Sequence, residues 1–149
     1  MPRTFGYLSR CMQHPSAPEG LIDLLALAAL RGGSFNEQVF QVNDHCLRIA
    51  VNADSTYPWH RHVRTDEVFI VLEGCLRIEF ADGGSVDLRP FSACRVPAGT
   101  IHRTTAIGRT VNLCIEADGD DTEFMPDHAD EAPDRRGHDA GQQTAAPML

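Results

Sequence analysis

The chain has 149 residues, a length that supports one hydrophobic core and therefore one site per chain. Its formal charge of -8 is concentrated in residues 117–149, where nine acids face only Arg135 and Arg136; the rest carries twelve acids and eleven bases and is nearly neutral. All thirteen basic residues are arginine and they are scattered, which excludes Schiff-base chemistry through a lysine and a massed basic face for nucleic acid.

Residues 1–37 are expected to form an N-terminal arm and a short helix. Pro2, Pro15 and Pro18 mark an irregular start, and Leu21 to Leu30 is Leu/Ala-rich and stopped by Gly32-Gly33, which predicts a helix packing on the main domain or a partner chain. This stretch carries Asp23 and is too short to cross a bilayer, so no membrane partner is expected. From Val39 onward the text changes to short β-branched and aromatic runs punctuated by Gly, Pro, Asp and Asn, the signature of an antiparallel all-β domain over 38–116. Strands are predicted at 38–42, 45–52, 57–62, 67–73, 75–81, 85–88, 93–96, 101–105 and 109–116. In the clearest hairpin, Leu76, Ile78 and Phe80 alternate with Arg77 and Glu79 before an Asp82-Gly83 turn. The run Val68 to Leu72 is apolar on both faces, so its outer side is expected to be covered, which with the helix predicts a homodimer. Residues 117–149, acid-rich and poor in apolar side chains, are expected to be a disordered acidic tail. The five cysteines form no CxxC pair and four fall within strand-like runs, which fits buried thiols in a reducing cytoplasm.

His60 and His62 are one residue apart, which on a strand puts both imidazoles on one face. Glu67 opens the next strand, and Pro97-Ala98-Gly99-Thr100-Ile101-His102 brings a third imidazole after a tight turn. This set of nitrogen and carboxylate donors suits one divalent ion (Fe, Mn, Ni, Co or Zn), with coordination positions left open for a ligand. His14, His45, His128 and His138 are read as solvated. If the ligands point inward, Phe69 and Val71 share the face of Glu67 and Thr104 that of His102, forming the lining of a small pocket. Arg48 and Arg77, opposite the apolar residues of their strands, read as solvated surface, and Trp59 as a packing residue.

The stretch from Tyr57 to Gly74, with its His-Arg-His, Glu67 and closing glycine, resembles the first cupin motif, and Pro97 to His102 resembles the second. The resemblance spans residues 38–116. It implies a double-sheet jelly-roll β-barrel in which His60, His62, Glu67 and His102 bind the metal. Within cupins the wording is most similar to small bacterial proteins described as mannose-6-phosphate isomerase-like. The sequence departs from the motifs at Asp54, Phe91 and Ala106, where the pattern has Gly, Gly and Asn. The functional expectation is a metal-dependent enzyme acting on a small polar metabolite, isomerase-like; the alternatives are an Fe(II) dioxygenase-type cupin and a non-catalytic module in which the metal anchors a small ligand.

Overall fold

The computed structural model describes residues 20–31, 33–119 and 121–126. They form one helix, α1 (Leu24–Leu30), and eight strands: β1 (Phe35–Val42), β2 (His45–Ala53), β3 (Thr56–His62), β4 (Glu67–Phe80), β5 (Ser85–Leu88), β6 (Ala93–Val96), β7 (His102–Ala117) and β8 (Thr122–Phe124). No helix among the described residues is long and apolar enough to cross a membrane.

All pairings are antiparallel, and β4 and β7 run side by side for most of their length. The first half of β4 and the second half of β7 belong to one layer, flanked by β6 on one side and by β2 and β1 on the other. Their remaining halves belong to the second layer, flanked by β5 and by β3 and β8. Both long strands thus change layer, β4 at a bulge around Gly74 (φ 79°) and β7 near Gly108 (φ 66°). A Cβ on Gly74 would lie 2.3 Å from the Arg109 carbonyl oxygen, so only glycine permits the bend. The predicted strands 67–73 and 75–81 are therefore one bent strand, as are 101–105 and 109–116. Asp54 (φ 44°) and Phe91 (φ 66°) hold the left-handed conformation at the two positions where the motif has glycine.

Two apolar clusters lie on opposite sides of the first layer. Phe69, Val71, Leu76, Ile78, Leu88, Val96 and Cys114 fill the space between the layers. Leu27 and Ala28 of α1 cover the outer face, packing with Ile49, Val51, Val111 and Leu113 and with the half-buried Ile70 and Leu72. The two-faced run of β4 thus finds cover in the chain's own helix. That helix begins at Leu24 rather than Leu21 because Asp23 caps it, its carboxylate accepting from the Ala26 N–H at 2.9 Å, a bond worth about 1 kcal/mol.

This second core reverses the expected direction of β2. Its apolar residues Ile49 and Val51 face α1, so Arg48, Ala50 and Asn52 face the cavity between the layers. Arg48 is half-buried there, a correction of the solvated reading, while Arg77 lies outside as expected, paired with Asp87 at 2.7 Å. The reading of 117–149 as structureless gives way at its start: β7 runs to Ala117, and β8 pairs with β3 through His60–Phe124 and His62–Thr122. Residues 127–149 lie outside the described residues.

Candidate metal centre

β3 delivers His60 and His62 to the interior in one strand period, and His60 lies directly across from His102 at the start of β7. Glu67 enters from the first residue of β4. The loop before His102 is held to the other ligands by its backbone: the Gly99 N–H donates to the His62 carbonyl at 2.7 Å, and the Ala98 N–H to the Asp66 carboxylate at 2.9 Å. All four side chains are buried, between 1% and 6% exposed. The Nε2 atoms of His102, His62 and His60 lie 3.1, 3.2 and 3.9 Å from Glu67 Oε2. His60, His62 and Glu67 present donor atoms within 4.8 Å of one another.

The opposite nitrogens explain this convergence. His60 Nδ1 lies 2.8 Å from the Pro58 carbonyl oxygen, His102 Nδ1 3.0 Å from the Thr100 carbonyl oxygen, and His62 Nδ1 2.9 Å from Asp121 Oδ1. Carbonyl and carboxylate oxygens only accept, so each Nδ1 carries a proton and each ring turns Nε2 towards Glu67, where it would offer a lone pair to a bound ion. His62 Nε2 is buried and, although 3.2 Å from Glu67 Oε2, makes no well-aligned hydrogen bond, so a cation there would satisfy it. Donors each about 2.1 Å from a common ion stand about 3.0 Å apart at a right angle and about 4.2 Å when opposite, a range that contains all three separations.

The electrostatics agree. Burial pushes the Glu67 carboxyl up, but the imidazoles of His102, His60 and His62 and the Cys114 thiol together hold it far below the usual carboxylate range. The His62 imidazole is pushed up to about 9 by the Glu67 carboxylate against burial, with a further contribution from Asp121. Burial and the carboxylates of Glu67 and Glu116 raise the Cys114 thiol well above its ordinary value, so it stays protonated and donates to Glu67 Oε1 at 2.8 Å.

A cavity of about 460 Å³ opens beside these groups. Phe69, Leu76, Ala50 and Ala106 give it apolar walls, and Arg48, Asn52, Asn112, Glu116, Thr104 and Thr122 a polar side. Phe69 and Thr104 are among the lining residues, whereas Val71, read from the sequence as lining too, is fully buried in the apolar cluster. Glu116 stands 3.4 Å from Arg48 Nε and 3.9 Å from His62 Nε2. Burial and the neighbouring Glu67 raise its carboxyl, partly opposed by Arg48 and His62. Trp59 faces away under the Arg103 guanidinium, 4.8 Å from its ring centre.

Arg48 reads from the sequence as solvated surface, and neither Glu116 nor Asp121 stands out there. The first two share a face with Asn52 and with Asn112 and Cys114, a period-two polar stripe on β2 and β7 that could have marked the cavity. Asp121 carries no such signal.

Residues 47–116 match the family model described as Cupin domain. A curated relative, the uncharacterized protein YdbB of Bacillus subtilis (strain 168), is 45% identical over 95 residues, which is 63% of this chain and 83% of the relative. Among solved structures, a cupin-2 domain containing protein from Shewanella frigidimarina is similar at a TM-score of 0.61 and 27% identity, covering 66% of this chain and 96% of that one. Hydroquinone 1,2-dioxygenase PnpCD, solved with Cd2+ and 4-hydroxybenzonitrile, is similar at a TM-score of 0.59 and 20% identity over 72% of this chain and 80% of that one, a likeness of fold alone.

Proposed function

This chain belongs to the cupin domain family, and from that premise we propose that it is a mononuclear metal-dependent enzyme of isomerase type acting on a small polar hydroxycarbonyl metabolite. The observation that supports this most is the anchoring of three Nδ1 atoms, which leaves three Nε2 atoms converging on one carboxylate oxygen. His60, His62, Glu67 and His102 would hold one ion of Fe, Mn, Ni, Co or Zn. Such an ion supplies a Lewis acid towards a carbonyl or hydroxyl oxygen.

The remaining roles fall to the cavity walls. Isomerisation of a hydroxycarbonyl compound moves one proton between adjacent carbons and one between their oxygens; Glu116, a carboxylate of the cavity wall, would take the carbon-bound proton and return it to the neighbouring carbon, while the oxygen-bound proton passes between the two oxygens of the ligand. Arg48, the only arginine lining the cavity among the described residues, would meet an anionic group of the ligand. Phe69 and Leu76 limit the water that shares the cavity.

Metal-loaded protein incubated with hydroxyaldehydes, ketoses and their phosphates should convert at least one of them. Glu116→Gln should lose about a hundredfold or more of that rate while keeping its metal. Oxygen uptake in place of isomerisation would favour the dioxygenase reading, and saturable binding without turnover the non-catalytic one. We also propose a homodimer, supported by the exposed Leu25 and Leu30 of α1 and Leu21 just before it; light scattering at micromolar concentration showing only monomer contradicts it. The free thiols Cys46, Cys75, Cys94 and Cys114 support a reducing, cytoplasmic setting.

A further inference from the structure

His60 and His102 hold their Nδ1 protons on main-chain carbonyls, but His62 holds its proton on a side chain that arrives from beyond the last long strand. We propose that Asp121 is a positioning residue for the metal site, and that the segment Asp121–Met125 is a clasp that completes the site from outside the sequence motifs. This inference rests on the metal-binding reading given above.

Both oxygens of Asp121 are engaged. Oδ1 accepts from His62 Nδ1 at 2.9 Å, and Oδ2 accepts from the Arg64 N–H at 3.1 Å and the Thr65 hydroxyl at 3.0 Å. The side chain is only 5% exposed. Backbone bonds fix the segment at both ends: the Val63 N–H donates to the Asp121 carbonyl at 3.1 Å and the Met125 N–H to the Trp59 carbonyl at 2.9 Å. Between them β8 pairs with the three residues of β3 that include both ligand histidines. β8 has β3 as its strand partner, so this contact is what ties it to the barrel.

A carboxylate on the far nitrogen of a ligand imidazole fixes the tautomer and the ring plane and makes the near nitrogen more basic. The carbonyl partners of His60 and His102 fix tautomer and plane without a charge. His62 is thus the ligand whose donor strength a single side chain sets. A merely structural Asp121 would order the 63–65 loop and leave metal affinity untouched.

The test measures Zn(II) affinity of the full chain by competition with a chromophoric chelator, alongside thermal unfolding of the metal-free protein. Asp121→Ala should bind Zn(II) about 10- to 100-fold more weakly than wild type. Asp121→Asn, which keeps an acceptor and loses the charge, should recover part of that loss. Glu123→Gln removes only the exposed pair with Arg61 on the same strand and should bind as wild type does. An Asp121→Ala affinity within about threefold of wild type, or an equal loss in Glu123→Gln, overturns the inference and leaves the metal site standing. Wild-type protein that binds no Zn(II) overturns both. If Asp121→Ala does not fold, Asp121→Asn decides on the same threefold criterion.

Discussion

At His62 a proton and a bound metal ion would compete. With its imidazole pushed up to about 9 in the metal-free protein, the ring carries at neutral pH a second proton, on Nε2, that an incoming ion would have to displace. Metal affinity should therefore strengthen about tenfold per pH unit between pH 7 and 9 and level off above, as chelator competition across that range would show. The same shift has an opposite sign for the metal-free fold. Because the folded value lies above the ordinary one, the stability that His62 contributes is complete below about pH 6.5 and is lost as pH rises through about 9. Denaturant titrations of metal-free wild type and His62→Gln should accordingly differ more at pH 6.5 than at pH 9.5. The cluster of His60, His62, Glu67 and His102 was legible as a candidate site because strand spacing alone places His60 and His62 on one face, and the turn before His102 has its own wording. Arg48 and Glu116 were not, because the sequence does not reveal that the apolar side of β2 faces a helix instead of the cavity. Asp121 lies in an acid-rich stretch where nothing local distinguishes one carboxylate from the next.

At the scale of elements, the bends of β4 and β7 decide where the ligands meet, since each strand serves both layers. Gly74 is the tighter of the two: alanine there would meet the Arg109 carbonyl oxygen at 2.3 Å in a left-handed backbone. Gly74→Ala should cost about 2–4 kcal/mol in denaturant titration. Phe91 offers the converse case, a left-handed residue that is 90% exposed and has no packing to lose. Phe91→Gly should raise stability by up to about 1 kcal/mol, whereas a fall would show that the ring has a partner in solution. Strand positions were readable from alternation, but the two long strands were divided at Gly74 and Gly108. Glycine punctuates a sequence in the same way whether a strand ends or turns into another sheet. Asp54 and Phe91, where the motif has glycine, both hold a left-handed backbone, the conformation that glycine adopts most easily.

For the whole molecule, the first layer is buried on both sides, by the ligand cavity within and by α1 without. Stability and metal binding should therefore be separable. Leu27→Ala, emptying space in the outer cluster, should cost about 2–4 kcal/mol and leave Zn(II) affinity unchanged. A parallel loss of affinity would mean that the helix sets the cavity's shape. The all-β architecture and its double-sheet form were legible from the pattern of short strands and from the motifs. The outer core was not, because a run such as Val68 to Leu72 states that both faces are covered without stating by what. The claim on which everything else depends is that the buried cluster holds an ion. Elemental analysis of protein purified without chelator or added metal tests it most directly, comparing wild type with His60→Ala. The account predicts about one divalent ion per wild-type chain and under about a tenth of an equivalent in the variant. Less than about a tenth in wild type, or equal metal in both, would contradict it.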